Sequence, residues 1–232
     1  MIEIKRKNRE PLVVEEASTV KEAVEYAVRN HISLEGADLS YGDLLEADLT
    51  GADLRYADLN KANLKGVDLS HAKLREVALS HADLSHADLT GADLSYADLR
   101  GAYLRGADLS GVKLIEVDLS NTNLFQANLF RANLTDADLS YTDLTGADLT
   151  GADLSGTNLD YSCLPLWCGS LDMKIDKRIF CQILYHALRM GKSVDDEEVQ
   201  KIISNPENIT MANQFHRVNE CGKILQEKMK GE

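Results

Sequence analysis

The sequence predicts a mainly β fold: a solenoid whose chain turns a corner every five residues, with a hairpin and helix at its start and helices after its end. Three observations predict it. Leucine stands at every fifth position from Leu34 to Leu164, 27 times in succession without an insertion. Two places before each leucine from Leu39 to Leu159 comes a small residue, mostly Ala, with Val67, Val77, Val112, Val117, Thr122, Thr142, Thr157 and Gly42 as variants. Asp or Asn mostly precedes the leucine directly, and polar or small residues follow it, often Ser/Thr and then Gly.

The first element is the N-terminal cap, residues 1–30. IEIK and PLVV flank a polar turn and predict a short hairpin. Thr19-Val-Lys-Glu22 fits a capping box, and Val20, Ala23, Val24, Ala27 and Val28 follow at helical spacing. This predicts an amphipathic helix covering the first coil, because an open solenoid end exposes leucines and unpaired backbone.

The second element, residues 31–165, is the repeat. A helix advances about 500° in five residues, which would wind the leucines around the whole cylinder. A flat strand would flip each successive leucine to the opposite face. A square coil of four pentapeptides, 20 residues in all, sends every leucine to the axis and leaves turn-forming residues at the corners. Coils stacked about 4.8 Å apart pair their backbones, and 27 repeats give just under seven coils, about 33 Å of rod. Leu34, Leu54, Leu74, Leu94, Leu114, Leu134 and Leu154 form one inward column.

Tandem A(D/N)LXX resembles the pentapeptide-repeat family, over about 134 of the 232 residues. The resemblance implies a right-handed quadrilateral β-helix. In the family pattern, Leu39, Leu44, Leu49 and their successors match the central inward position, and Ala37, Ala47 and Ala52 the second.

The third element, residues 166–232, begins after Leu164-Pro165, where Pro removes a ladder donor. Ile175, Ile179, Phe180, Ile183, Leu184 and Leu188 predict a helix ending near Gly191. A second is expected over about 194–204 and a third over about 208–228. This all-α tail is longer than a plug requires.

Charge locates the candidate surfaces. The chain carries a net charge of −13, and residues 31–164 hold all of the excess, with 22 Asp+Glu against 9 Lys+Arg. That is one charge per ~2.5 Å of rod, against one per ~1.7 Å in duplex DNA. Sorting outward residues by a 20-residue period gives net charges of −3, −4, −2 and −4 for the Leu34, Leu39, Leu44 and Leu49 sides. The Leu49 side is the cleanest acidic face: Asp48, Asp68, Asp88, Asp108 and Asp148 share a column, and Arg131 is its only base. The bland reading of these carboxylates is that they bond turn backbone and keep the rod soluble.

Ile115, Phe125 and Phe130 stand in the first outward place after the leucine, which is usually polar, and form a candidate apolar contact patch. Phe125 and Phe130 fall on adjacent sides of one coil and are expected to meet near a corner. The resemblance adds two functional expectations. Some family members resemble B-form DNA and occupy the DNA-binding surface of gyrase, and some dimerise through C-terminal helices. Against the first, some gyrase-protecting relatives carry loops inserted in the repeat, and this repeat has none.

Other classes find little support. The chain has no P-loop, GxSxG, HExxH or dinucleotide fingerprint, so no catalytic residue and no cofactor is expected. Cys163, Cys168, Cys181 and His186 are too loosely spaced for a structural zinc site, so no metal is expected. An acidic rod repels phosphates, which argues against direct nucleic-acid binding. No basic amphipathic segment or apolar run of about 20 residues points to a membrane. The charged N-terminus lacks a secretory apolar segment, and a cytoplasmic location with reduced thiols is expected. The sequence thus predicts a non-catalytic protein-interaction scaffold. The alternatives are a DNA mimic acting on gyrase or another DNA-binding protein, and a self-associating structural protein. A homodimer would use either the C-terminal helices or the Phe125/Phe130 patch.

Overall fold

A computed structural model describes residues 1–7, 9–160, 162–163 and 204–206. The chain divides into two compact units, Met1–Lys174 and Ile175–Glu232. The helices expected over 166–232 lie outside the described residues.

The first unit opens with strands β1 (Ile2–Arg6) and β2 (Arg9–Val14), paired antiparallel with Ile4 opposite Leu12. Helix α1 (Val20–Arg29) follows, with Thr19 as its N-cap. The Glu22 N–H donates to Thr19 Oγ1 at 3.1 Å, while the Glu22 carboxylate accepts from the Ser18 N–H at 2.7 Å. The capping box is therefore present but reaches one residue further back than its usual partner. Ala23, Val24 and Ala27 are the buried face of α1.

Both cap elements close the first coil, by different means. The hairpin supplies hydrogen bonds: Lys7 N–H, just past β1, donates to Gly36 O at 2.7 Å, and Asp38 N–H to Lys5 O at 2.8 Å. Helix α1 supplies apolar cover and one cation, as Lys21 Nζ donates to the carbonyls of Leu45 and Glu46. The sequence placed hairpin and helix together in the cap, with the helix expected to cover the first coil. The hairpin shares that task because a strand meets the unpaired N–H and C=O groups of a β edge in register.

From residue 34 onward the chain is a quadrilateral β-helix. Every parallel bridge joins residue i to i+20, from Asp38↔Asp58 to Asp143↔Cys163, so the coil length is 20 residues throughout. The inward leucines from Leu34 to Leu159 are buried on all four sides, and the column from Leu34 to Leu154 is at most 1% exposed. Thr122, Thr142 and Thr157 replace Ala inside without an unmet hydroxyl: each donates to a carbonyl 23 residues earlier, at 3.1, 2.8 and 3.0 Å.

The pentapeptide accounts for all five of its backbone donors, and this explains its composition. In the stretch around Leu39, the Leu39 N–H donates to Asp58 O and the Tyr41 N–H to Asn60 O of the next coil. Gly42 N–H donates back to Leu39 O across the corner, and Asp58 N–H, in the next coil, reaches down to Ala37 O. One donor remains, on the residue after the leucine. The carboxylate before the leucine takes it: Ser40 N–H donates to Asp38 Oδ1, and the same bond recurs at Thr50, Ser70, Ser85, Thr90 and Ser110. Asn does equally well, as at Phe125 and Phe130.

Each corner has the geometry of a type II turn, with φ near +60° at its third residue. Glycine fills ten of these positions, and His, Tyr, Glu and others fill the rest. In three columns a histidine of one coil stacks against a glycine of the next. A Cβ built on Gly91, Gly101 or Gly106 would meet the ring of His71, His81 or His86 at 2.8, 2.6 and 2.8 Å. The side chain of one coil lies where the next coil has none.

Candidate interaction faces

The five aspartates of the Leu49 side share one column, as their spacing predicted. The bridges run Asp48↔Asp68↔Asp88↔Asp108↔Asn128↔Asp148, so neighbouring carboxylates are one coil apart and Asn128 interrupts the series once. Each of the five has one oxygen committed to the wall: Oδ1 accepts from the N–H of Thr50, Ser70, Thr90, Ser110 or Thr150. The Ser110 hydroxyl also donates to Asp108, and Asn128 bonds both Asp108 and Ser110. Burial opposes ionisation at Asp68, but the hydroxyl and N–H of Ser70 outweigh it and hold its carboxyl below the ordinary value. The column is structural on one oxygen and electrostatic on the other.

Elsewhere the acids are partly neutralised. On the Leu34 side Arg55 binds Asp53 at 2.7 Å and Glu35 at 3.3 Å, and Arg9 of the hairpin also pairs with Glu35. On the Leu39 side Arg100 binds Asp98 at 2.7 Å and approaches Asp118 at 3.6 Å. These guanidiniums hold Asp53 and Asp98 below the ordinary carboxylate value. Ala78 breaks the Leu39-side column between Asp58 and Asp98, and the Ser80 N–H turns to Asn60 Oδ1 in the coil below at 2.8 Å. An open groove of about 370 Å³ lies there, bordered by Tyr41, Asp58, Asn60, Lys61, Asp98 and Arg100. Open to water on one side, it shelters no group in the way a catalytic pocket does. Among the described residues no cluster of His, Cys, Asp and Glu could hold a metal ion, and no helix is long and apolar enough to cross a membrane.

The outward apolar residues are placed as follows. Ile115 is half-buried on the Leu34 side, Phe125 half-buried on the Leu44 side and Phe130 exposed on the Leu49 side. Both phenylalanines carry a guanidinium: Arg105 lies 5.2 Å from the Phe125 centroid, and Arg131 4.8 Å from that of Phe130. Sequence reading missed Arg105 and Tyr103 as members of this surface, and Tyr103 is 54% exposed in the place usually held by Asp. A signal was available. Arg105 precedes Phe125 by one coil, just as Tyr41 precedes Lys61, whose ammonium lies 5.3 Å from the Tyr41 ring.

The family model for pentapeptide repeats matches residues 32–70, 68–106, 92–129 and 127–164. The chain belongs to the pentapeptide repeat family. Three solved structures are similar to this chain. HetL of the cyanobacterium Nostoc sp. strain PCC 7120, a pentapeptide repeat protein involved in heterocyst differentiation regulation, is 32% identical; the match covers 59% of this chain and 71% of HetL, with a TM-score of 0.38. A pentapeptide repeat protein of the Arabidopsis thaliana thylakoid lumen is 32% identical over 52% of this chain and 75% of its own, with a TM-score of 0.40. QnrB1, a plasmid-mediated fluoroquinolone resistance protein, is 19% identical over 65% of this chain and 88% of its own, also with a TM-score of 0.40. No curated protein matches the sequence.

Proposed function

We propose that this pentapeptide repeat protein is a non-catalytic binding rod whose acidic Leu49 side engages a basic surface on a protein partner. The observation that supports the reading is the double duty of the Asp column. Holding the turn needs only one amide or carboxylate oxygen, and Asn128 performs that task. Charge at five of the six places in the column from Asp48 to Asp148 is therefore more than the turn requires. A regular line of carboxylates about 4.8 Å apart on a rigid wall suits a partner built to grip a polyanion. A DNA-binding protein such as gyrase is the sharper form of this reading, favoured by a charge spacing near that of duplex DNA. The open convex wall supports binding rather than catalysis.

Asn substitution separates charge from structure. The variant carrying Asp48→Asn, Asp68→Asn, Asp88→Asn and Asp108→Asn keeps every turn acceptor and loses four charges. Gyrase supercoiling is measured with titrated protein at low and at moderate salt. Inhibition or protection that weakens with salt and disappears in the variant supports the reading. An effect that the variant retains in full removes the Leu49 side from the account, and no effect at high micromolar protein removes gyrase.

A further inference from the structure

The Leu44 side differs from the other three in ways that complement one another. It holds the fewest acids, Asp43, Glu46, Asp83 and Asp143, with Lys65 and Arg105 against them. Leu45, Tyr103 and Phe125 all face outward on it. Between Asp83 and Asp143 it carries no carboxylate, and Tyr103 and Asn123 occupy the two places between them in the column. Arg55, Arg75 and Arg100 each have a carboxylate of their own chain within 4 Å. Arg105 has none among the described residues; its guanidinium lies over Phe125 instead.

The lattice gives each outward residue of a side two coordinates: its coil, and its row before or after the leucine. A two-fold axis through the Leu124 position, perpendicular to the side, exchanges the coil below with the coil above and one row with the other. Because the coil length is 20 residues, Arg105 (below, after) maps onto Asp143 (above, before). Tyr103 maps onto Thr145, and Phe125 onto Asn123. The same operation on the Leu49 side sets aspartates against Thr, Ser and Phe, with only the corner residue Arg131 as a cation.

We propose that the Leu44 side is a self-complementary interface on which two copies of this chain pack antiparallel, Arg105 of each bonding Asp143 of the other across Phe125. The inference rests on reading the rod as a protein-binding surface and names a second copy as one occupant, on a side distinct from the Asp column. Stacking on Phe125 orders the Arg105 side chain before contact, which lowers the entropy lost on binding. The central contact spans three coils, about 14 Å of rod. On a side five residues wide, about 16 Å at most, that is a patch of no more than about 220 Å². This is well below the ~800 Å² per partner of a stable interface, so the dimer is weak, with a dissociation constant on the order of 100 µM.

Sedimentation equilibrium of the full chain from 10 to 500 µM, about the expected constant, tests this directly. The parent should show a monomer–dimer equilibrium. Arg105→Glu and Asp143→Arg should each weaken it at least tenfold, with unchanged far-ultraviolet circular dichroism and melting temperature. If either variant fails to fold, Arg105→Gln takes its place for the single-variant comparison. An equimolar mixture of the two folded charge variants should recover a heterodimer. The introduced acid of one then faces the introduced cation of the other, while the remaining native Arg105 and Asp143 also face each other. A parent that stays monomeric, single variants that dimerise like the parent, or a mixture that does not pair would each overturn the proposal. Arg105→Glu leaves the Asp column intact, so the gyrase assay on that variant reads the acidic-face proposal separately.

Discussion

The Leu44 and Leu49 sides are built on the same inward leucines, the same 20-residue ladder and the same corner turns, yet their outer surfaces differ. One carries an aromatic–guanidinium patch with few acids, and the other a line of carboxylates. The difference teaches that the repeat separates stability from recognition. Inward positions fix the fold, and outward positions vary: most keep an acceptor for the leftover N–H, and Lys73, Tyr103 and Lys113 hold the same ladder with a side chain that supplies none. Four experiments would sharpen or break that separation.

The largest effect is expected inside. Leu104→Ala beneath the Leu44 side and Leu109→Ala beneath the Leu49 side should each cost about 2–5 kcal/mol, and by similar amounts. Denaturant unfolding measures both, and a disparity of several kcal/mol would show that the sides differ in their interior as well.

Corners come next. Gly111 has φ +63° and open space where a Cβ would stand, whereas at Gly101 a Cβ would meet His81 Nδ1 at 2.6 Å. Gly111→Ala should cost about 1 kcal/mol from the left-handed backbone alone, and Gly101→Ala about 2 kcal/mol because the imidazole must also move. Equal losses would show that the stacked histidine plays no part.

Smaller again is the turn acceptor. Asp88→Ala removes the bond from the Thr90 N–H, 2.8 Å long, and should cost about 1 kcal/mol, while Asp88→Asn should change stability by less than about 0.5 kcal/mol. On the Leu44 side, Asn123→Ala should behave like Asp88→Ala, because Asn123 holds the Phe125 N–H at 3.0 Å. An Asn substitution as harmful as Ala would mean that the charge itself holds the turn.

The smallest effect is on pH. Asp53, Asp68 and Asp98 are held below their ordinary value of 3.8 in the folded chain. Their folded form binds fewer protons than the unfolded form, so their contribution is present above 3.8 and is lost as pH falls through the lowered values. The melting temperature should be insensitive to these groups from pH 7 to about 5 and fall below about pH 4. Added salt should reduce the part owed to Arg55 and Arg100, and leave the part owed to Ser70 unchanged. A fall already complete by pH 5 would assign acid sensitivity to other groups.

Particular residues show how far the sequence could be read. The column from Leu34 to Leu154 and the line from Asp48 to Asp148 were legible because a fixed period with no insertion converts position directly into place. Thr19 and Glu22 gave the helix start through a local hydrogen-bond pattern. The hydrogen bonds by which the hairpin joins the first coil were not legible, since the bond from Lys7 to Gly36 joins segments with no common pattern. The guanidinium over each phenylalanine was legible only as a neighbour, Arg105 one coil below Phe125 and Arg131 next to Phe130, because a long side chain chooses among several neighbours once the coils are stacked.

By itself, then, the sequence determined the period, the inward and outward rows, the coil length and the charge of each side, because all four follow from counting along one chain. Only the tertiary structure decided which oxygen of each carboxylate is spent on the wall and which arginines are already paired. It also decided that histidines rest over glycines one coil on, and that strand β1 meets the first coil. The stacked histidines and the strand contact join atoms 20 or more residues apart. The carboxylate and arginine pairings, though two residues apart in the chain, depend on rotamers that a repeat brings within bonding range but does not choose among.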